Sequence, residues 1–133
     1  MGERLFTPEQ ANAALPRVRP LVEQLVERRA DLLAVRARRA ELAAHVAGNG
    51  GLRPEQQAAL DRAARAAGEG LREAVAALTA LGVVVKDVDA GLVDFPALLD
   101  GERVFLCWQL GEDAVAFWHG LEEGFAGRKP LAG

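Results

Sequence analysis

The chain predicts an α+β fold, with a long antiparallel helical hairpin followed by a small antiparallel β-sheet of three to four strands. Residues 1–81 are dominated by Ala, Leu and Arg, with apolar residues recurring in threes and fours. A glycine-rich interruption, Gly48-Asn49-Gly50-Gly51, divides that stretch in two. Beyond residue 82 the pattern changes to short β-branched and aromatic runs separated by Asp/Gly turns. Strands that follow helices, rather than alternating with them, point to α+β and away from a parallel sheet. A length of 133 residues suits a single domain, 1–133. Within it, 1–81 is the hairpin with a short N-terminal helix, and 82–133 is a β unit carrying the candidate site.

Thr7-Pro8-Glu9-Gln10 is a helix start: Thr7 caps, Pro8 suits the first helical position, and Gln10 completes a capping box. Pro16 and Pro20 each lack an N–H and push the preceding residue out of the α region. They predict a short helix over about 8–14 and a new start near Pro16 or Pro20. A seam then runs through Val18, Leu21, Leu25, Arg28, Leu32, Val35, Arg39, Leu42 and Val46; seven of these nine positions are apolar, as helix–helix contact requires. Gly48 to Gly51 stop the helix and Pro54 restarts it. The second seam is Leu60, Ala64, Ala67, Leu71, Ala74, Leu78 and Leu81, ending at Gly82. Two helices of about 30 residues, about 45 Å long at the helical rise, form the hairpin. Its Ala-rich second seam permits close approach, and Gly68 and Gly70, each costing about 1 kcal/mol relative to Ala, mark a close crossing or a bend. A two-helix seam cannot bury both its sides, so it needs the β unit, a second copy, or both. A coiled-coil-like homodimer is the simplest partner arrangement.

In the second part, Val83–Val88 has the density of β-branched residues expected of a strand. Leu92–Leu98 is a second extended stretch, which Pro96 assigns to an edge or a bulge. Asp100-Gly101 signals a type I′ hairpin into Arg103–Leu110, and Gly111-Glu112-Asp113 turns the chain into Ala114–Trp118. Alternation puts Val104, Leu106 and Trp108 on one face, with Phe105, Cys107 and Gln109 on the other. Val115, Phe117 and His119 likewise share a face. Whether Cys107 meets His119 depends on strand register, which alternation does not supply. Phe105, Trp108, Phe117, Trp118 and Phe125 are expected to join sheet to helices, or in part to line a pocket.

The net charge of −3 hides a division. Residues 1–81 hold 12 Arg against 10 Asp/Glu, and residues 82–133 hold 4 Lys/Arg against 9 Asp/Glu. Neither part has the basic excess of a nucleic-acid binder. Arg28, Arg29, Arg36, Arg38 and Arg39 are interspersed with Glu27, Asp31 and Glu41, which reads as an ion-paired solvated face rather than a phosphate stripe. One cysteine excludes an internal disulfide and fits a reducing cytosol. The lack of a signal-like N-terminus or an 18-residue apolar run adds to a cytoplasmic expectation, with no membrane partner.

Both Trp, the lone Cys and one of the two His fall in the last fifty residues, together with Asp94, Glu122 and Arg128. A polar ligand site of His119, Arg128, Asp94 and Glu122 is the leading expectation, with a small anion or a protein partner as its occupant. Arg128 offers a planar fork for carboxylate or phosphate, although an internal Asp94–Arg128 pair would serve structure alone. The alternative is a metal-dependent enzyme or redox protein, in which His119 and Cys107, with Asp94, Glu122 or Glu123, hold a divalent transition metal. His119-Gly-Leu-Glu122 has the i, i+3 spacing that lets imidazole and carboxylate converge on a helical turn. Against it, the chain has no Cys-x-x-Cys and no His-Glu-x-x-His. A Cys107–His119–Asp94 nucleophile lacks a local signature. Gly124-Phe-Ala-Gly127-Arg128 is too sparse in glycine for a phosphate loop.

Phe6-Thr-Pro-Glu-Gln-Ala-Asn-Ala-Ala-Leu-Pro16, Gly91-Leu-Val-Asp-Phe-Pro96, Leu106-Cys-Trp-Gln-Leu-Gly-Glu112, Trp118-His119 and Gly124-Phe-Ala-Gly-Arg128 are specific as a set. Together they resemble an uncharacterised bacterial family, domain of unknown function 2203, across essentially the whole chain. The resemblance implies a cytoplasmic protein that consists of this domain, and it supplies no catalytic residue.

Overall fold

The computed structural model describes residues 3–46 and 53–131. Helix α1 (Pro8–Val46) and helix α2 (Pro54–Ala80) form the hairpin, and the glycine-rich turn expected at 48–51 lies outside the described residues. The capping box forms as expected: Thr7 Oγ1 accepts from the Gln10 N–H (3.1 Å) and Gln10 Oε1 accepts from the Thr7 N–H (3.0 Å). The expected break at Pro16 or Pro20 does not occur, and α1 is continuous through both. Four residues apart, the two prolines share the exposed face, where water can satisfy the carbonyls that lose an N–H partner. On the opposite face Ala11, Ala14, Leu15, Val18, Val22 and Leu25 are buried, and that packing outweighs the local propensity.

Helix α2 ends at a left-handed glycine. Gly82 (φ 89°) donates to the Thr79 carbonyl and Val83 to that of Leu78, a Schellman pairing that turns the chain into the sheet. Gly70 provides the close crossing, because a Cβ there would meet Arg28 Nε at 2.7 Å. Arg39, the other cation on the first seam, pairs with Asp61 across the hairpin.

The sheet is a five-stranded antiparallel meander, one strand more than expected: β1 (Val84–Asp87), β2 (Leu92–Leu99), β3 (Glu102–Gln109), β4 (Phe117–Gly120) and β5 (Lys129–Pro130). Asp100 (φ 51°) and Gly101 (φ 81°) make the β2–β3 turn with positive φ at both positions, as the type I′ signal requires. Pro96, expected on an edge or a bulge, lies in a strand flanked on both sides. It is tolerated because β1 ends its pairing at Asp94. Next to Pro96 that side is met by Phe6, whose N–H donates to the Pro96 carbonyl (2.7 Å), so no ladder donor is lost.

Ala114–Ala116, expected as strand, is not one, and β4 begins at Phe117. The reason is tertiary. Asn12 of α1 accepts from the Val115 N–H (2.8 Å) and donates to the Val115 carbonyl (3.1 Å), satisfying this segment in place of a sheet neighbour. Val93, Phe95, Ala97, Val104, Leu106 and Trp108 face the helices and form one core with Phe6, Val18, Leu25, Ala74 and Leu78. Of the five aromatic residues expected there, Trp108 is fully buried in the core and Trp118 packs partly against it. Phe105, Phe117 and Phe125 lie outside that core. No helix among the described residues is long and apolar enough to cross a membrane.

Asn12→Ala leaves a buried N–H and C=O without partners, so it is expected to lower stability by about 2–3 kcal/mol in urea unfolding. Pro16→Ala restores a helical donor on an exposed face and is expected to raise stability by roughly 1 kcal/mol or more in the same assay.

Candidate functional site

The sheet face turned away from the helices carries the polar cluster. Antiparallel register places Asp94 opposite Cys107, Cys107 opposite Phe117, and Phe105 opposite His119, so all five side chains share that face. The relation between Cys107 and His119, which alternation left open, is thereby decided. Asp94 is 1 % exposed, Cys107 0 % and His119 3 %. A carboxylate oxygen of Asp94, Cys107 Sγ and a ring nitrogen of His119 lie within 4.8 Å of one another.

His119 is oriented from both sides. Nδ1 lies 2.9 Å from the Gly120 carbonyl, which can only accept, so Nδ1 carries a hydrogen. Nε2 is 3.0 and 3.1 Å from the two oxygens of Asp94. One proton is therefore shared between Nε2 and the carboxylate. Burial raises the Asp94 carboxyl above its usual value, against the opposing hydrogen bond and charge of His119 and the charge of Lys86. Burial first, and the Asp94 charge second, push the Cys107 thiol up to about 12. At neutral pH Cys107 is a fully buried, protonated thiol within 4.8 Å of Asp94 and His119, not a nucleophilic thiolate.

Lys86 joins the cluster by strand alternation: Val84 pairs with Asp94 on the outer face, and Lys86, two residues on, shares that face where the register shifts between Val85 and Asp87. Nζ lies 3.9 Å from Asp94 Oδ2 and 4.7 Å from the Phe105 ring centre. Residues after β4 return across this face through a 3-10 turn, Phe125–Gly127. Glu123 seats the return, with Oε1 accepting from the Gly120 N–H (2.8 Å) and from Lys129 Nζ (3.0 Å). The Gly120 hydrogen bond and Lys129 hold its carboxyl below the usual value. The glycine spacing serves this seat, since a Cβ at Gly127 would approach Glu123 Cβ to 3.0 Å. Between the return and the sheet lies a cleft of about 270 Å³, reaching Asp94 and His119 and walled by Lys86, Asp87, Leu92, Glu123, Gly124 and Phe125.

The expected Asp94–Arg128 pair does not form. Arg128 Nη2 donates to both oxygens of Glu112 (3.0 and 2.8 Å), and its guanidinium lies between Phe117 (3.9 Å) and Phe125 (4.5 Å). Glu112 is anchored in turn by the Gln109 N–H, donated to Oε1 at 2.8 Å. Arg128 is thus a buttress beside the cluster and not the cation of the cleft. Glu122 is exposed and outside the cleft wall, whereas Glu123, also exposed, lines the cleft with its carboxylate held by the Gly120 N–H. Lys86, Glu112 and Glu123 complete the surroundings. Of these, sequence reasoning named only Glu123, as one of three carboxylate options.

Chemically the cluster offers a carboxylate, a thiol and an imidazole with a fixed tautomer. In metal-free protein, iodoacetamide labelling of native Cys107 at pH 8 is expected to be at least about 100-fold slower than in urea, because the thiolate is suppressed. Asp94→Asn should speed labelling only modestly, since burial is the larger cause.

No curated protein and no solved structure matches the chain. The model of the family described as an uncharacterised conserved protein, DUF2203, matches residues 4–131, and the chain belongs to that family.

Proposed function

We propose that this protein is a small ligand-binding module whose β unit holds a divalent transition metal, zinc or a close relative, on Asp94, Cys107 and His119. The carrying observation is the convergence of their three donor atoms within 4.8 Å, with Asp94 and His119 at the wall of a cleft and Cys107 fully buried beside them. Sulfur, imidazole nitrogen and carboxylate oxygen are a donor set suited to zinc, iron(II) or cobalt(II). The Nδ1–H bond to the Gly120 carbonyl is the outer contact that metal-bound histidines characteristically make, leaving Nε2 as the ligand atom.

Charge supports the same reading. The metal-free cluster carries two exchangeable protons, one on the thiol and one shared between Nε2 and Asp94. A divalent cation replaces both without changing the net charge of a buried site, so no uncompensated charge is left in the interior. With three protein ligands, a fourth position remains toward the cleft, the arrangement of open rather than closed zinc sites. A reducing, cytoplasmic setting belongs to this reading, because Cys107 must stay a thiol or thiolate to ligate.

A second reading concerns self-association. The fully buried positions of α1 end at Leu25 and those of α2 begin at Ala67. Beyond them Leu32, Val35, Leu42 and Leu60 remain half-buried, and Leu33 is 44 % exposed. A second copy laid along this stretch of the hairpin would bury that seam as a homodimer.

Elemental analysis of untagged protein purified without chelator is expected to find near-stoichiometric metal. His119→Ala or Cys107→Ala should weaken binding at least about 100-fold while circular dichroism stays native-like. Failure to bind zinc, iron or manganese after reloading would remove the metal from the proposal. For the second reading, sedimentation should give a dimer that Leu33→Glu converts to monomer.

A further inference from the structure

The cleft beside the cluster has a cation of its own, and its position relative to Asp94 is the informative feature. Lys86 Nζ stands 3.9 Å from Asp94 Oδ2, the carboxylate oxygen 3.0 Å from His119 Nε2. A metal held by Asp94 would replace the proton now shared with His119 and occupy the carboxylate that Lys86 faces, leaving the half-exposed ammonium to turn toward the cleft. The other charges on the wall are already engaged. Asp87 Oδ1 accepts from the N–H groups of Asp89 (2.9 Å) and Ala90 (3.1 Å), and Glu123 is bonded to Lys129 and Gly120. Arg128 is committed to Glu112.

Resting on the metal reading above, we infer that the cleft binds a small monocarboxylate, one oxygen taking the open metal position and the other accepting from Lys86. A metal bound by one thiolate and one carboxylate is formally neutral, so Lys86 is the cation left to meet a ligand, while the Asp87 carboxylate on the same wall opposes further negative charge. That matches a monoanion and not a phosphate dianion. Leu92 and Phe125 supply apolar wall for the body of the acid, and the volume of about 270 Å³ limits that body to a few carbons. Lys86 owes its aim to strand alternation, since it lies two residues after Val84, which pairs with Asp94.

The test uses the full chain loaded with cobalt(II), whose thiolate charge-transfer band reports Cys107 ligation and whose visible bands report the fourth position. Titration with propionate is expected to shift the visible bands saturably, while the neutral isostere propionamide leaves them unchanged. Lys86→Met should weaken propionate by roughly tenfold or more, with the charge-transfer band intact. An intact charge-transfer band with no response to propionate would overturn the carboxylate site and leave the metal site standing. So would an unchanged affinity in Lys86→Met, or inorganic phosphate binding more tightly than propionate. If no charge-transfer band develops at all, the metal reading fails and the carboxylate site falls with it.

Discussion

Asn12 and Val115 are 103 residues apart in sequence, and the pair of hydrogen bonds between them governs the outer half of the sheet. The amide satisfies both polar groups of Val115, so Ala114–Ala116 leave the ladder and run along α1. Pairing with β3 then begins at Phe117. Because side chains alternate, a start one residue earlier or later would send His119 to the helix-facing side of the sheet. From its actual position His119 reaches Asp94 across the intervening strand. Trp108 strengthens the same corner, with its indole N–H donating to the Glu112 carbonyl at 3.1 Å.

Only one face of the sheet meets the helices, and the other is closed by the chain's own return through residues 121–128. That return is short and poor in large apolar residues, so the outer face is buried without becoming a second hydrophobic core. Polar groups there must satisfy one another or cost several kcal/mol each. The structure achieves most of this through two neighbouring pairs, Asp94 with His119 and Glu112 with Arg128, leaving Arg128 Nε buried without a hydrogen-bond partner beside the Phe117 and Phe125 rings. Cys107 is influenced by both, its thiol raised by Asp94 and Glu112 and lowered by Arg128. The proposed metal would replace the protons of the first pair and its thiol neighbour, while the second pair holds the aromatic walls in place.

The hairpin has a different balance. At the helical rise, 39 residues make α1 about 58 Å long, well beyond the span of an eight-residue strand. Where the sheet covers it, the helix accommodates Pro16 and Pro20 without breaking. Past Arg29, whose Nε bonds Asp89 of the β1–β2 turn at 3.1 Å, it packs along α2, with Arg39–Asp61 and a half-buried seam supplying the contact. The unequal support explains why α1 can violate local helix rules at one end and still leave apolar surface at the other.

Local chemistry was legible in the sequence. The Thr7/Gln10 capping box, the glycine end of α2, the Asp100-Gly101 turn, the alternation of β3 and the α+β order all depend on residues a few positions apart. So did the location of polar chemistry around Asp94, Cys107 and His119, since few other residues in the β unit could supply it. What required the tertiary structure was every choice between partners distant in the chain. Arg128 found Glu112 instead of Asp94, Glu123 rather than Glu122 bonded Gly120 and lined the cleft, and Lys86 met Asp94 once β1 paired with β2. Pro16 and Pro20 stayed helical, and Ala114–Ala116 stayed out of the sheet, because burial and hydrogen bonds from remote segments outweighed local preference. Propensity and alternation act over a few residues, whereas register and charge pairing are set only when strands and helices meet.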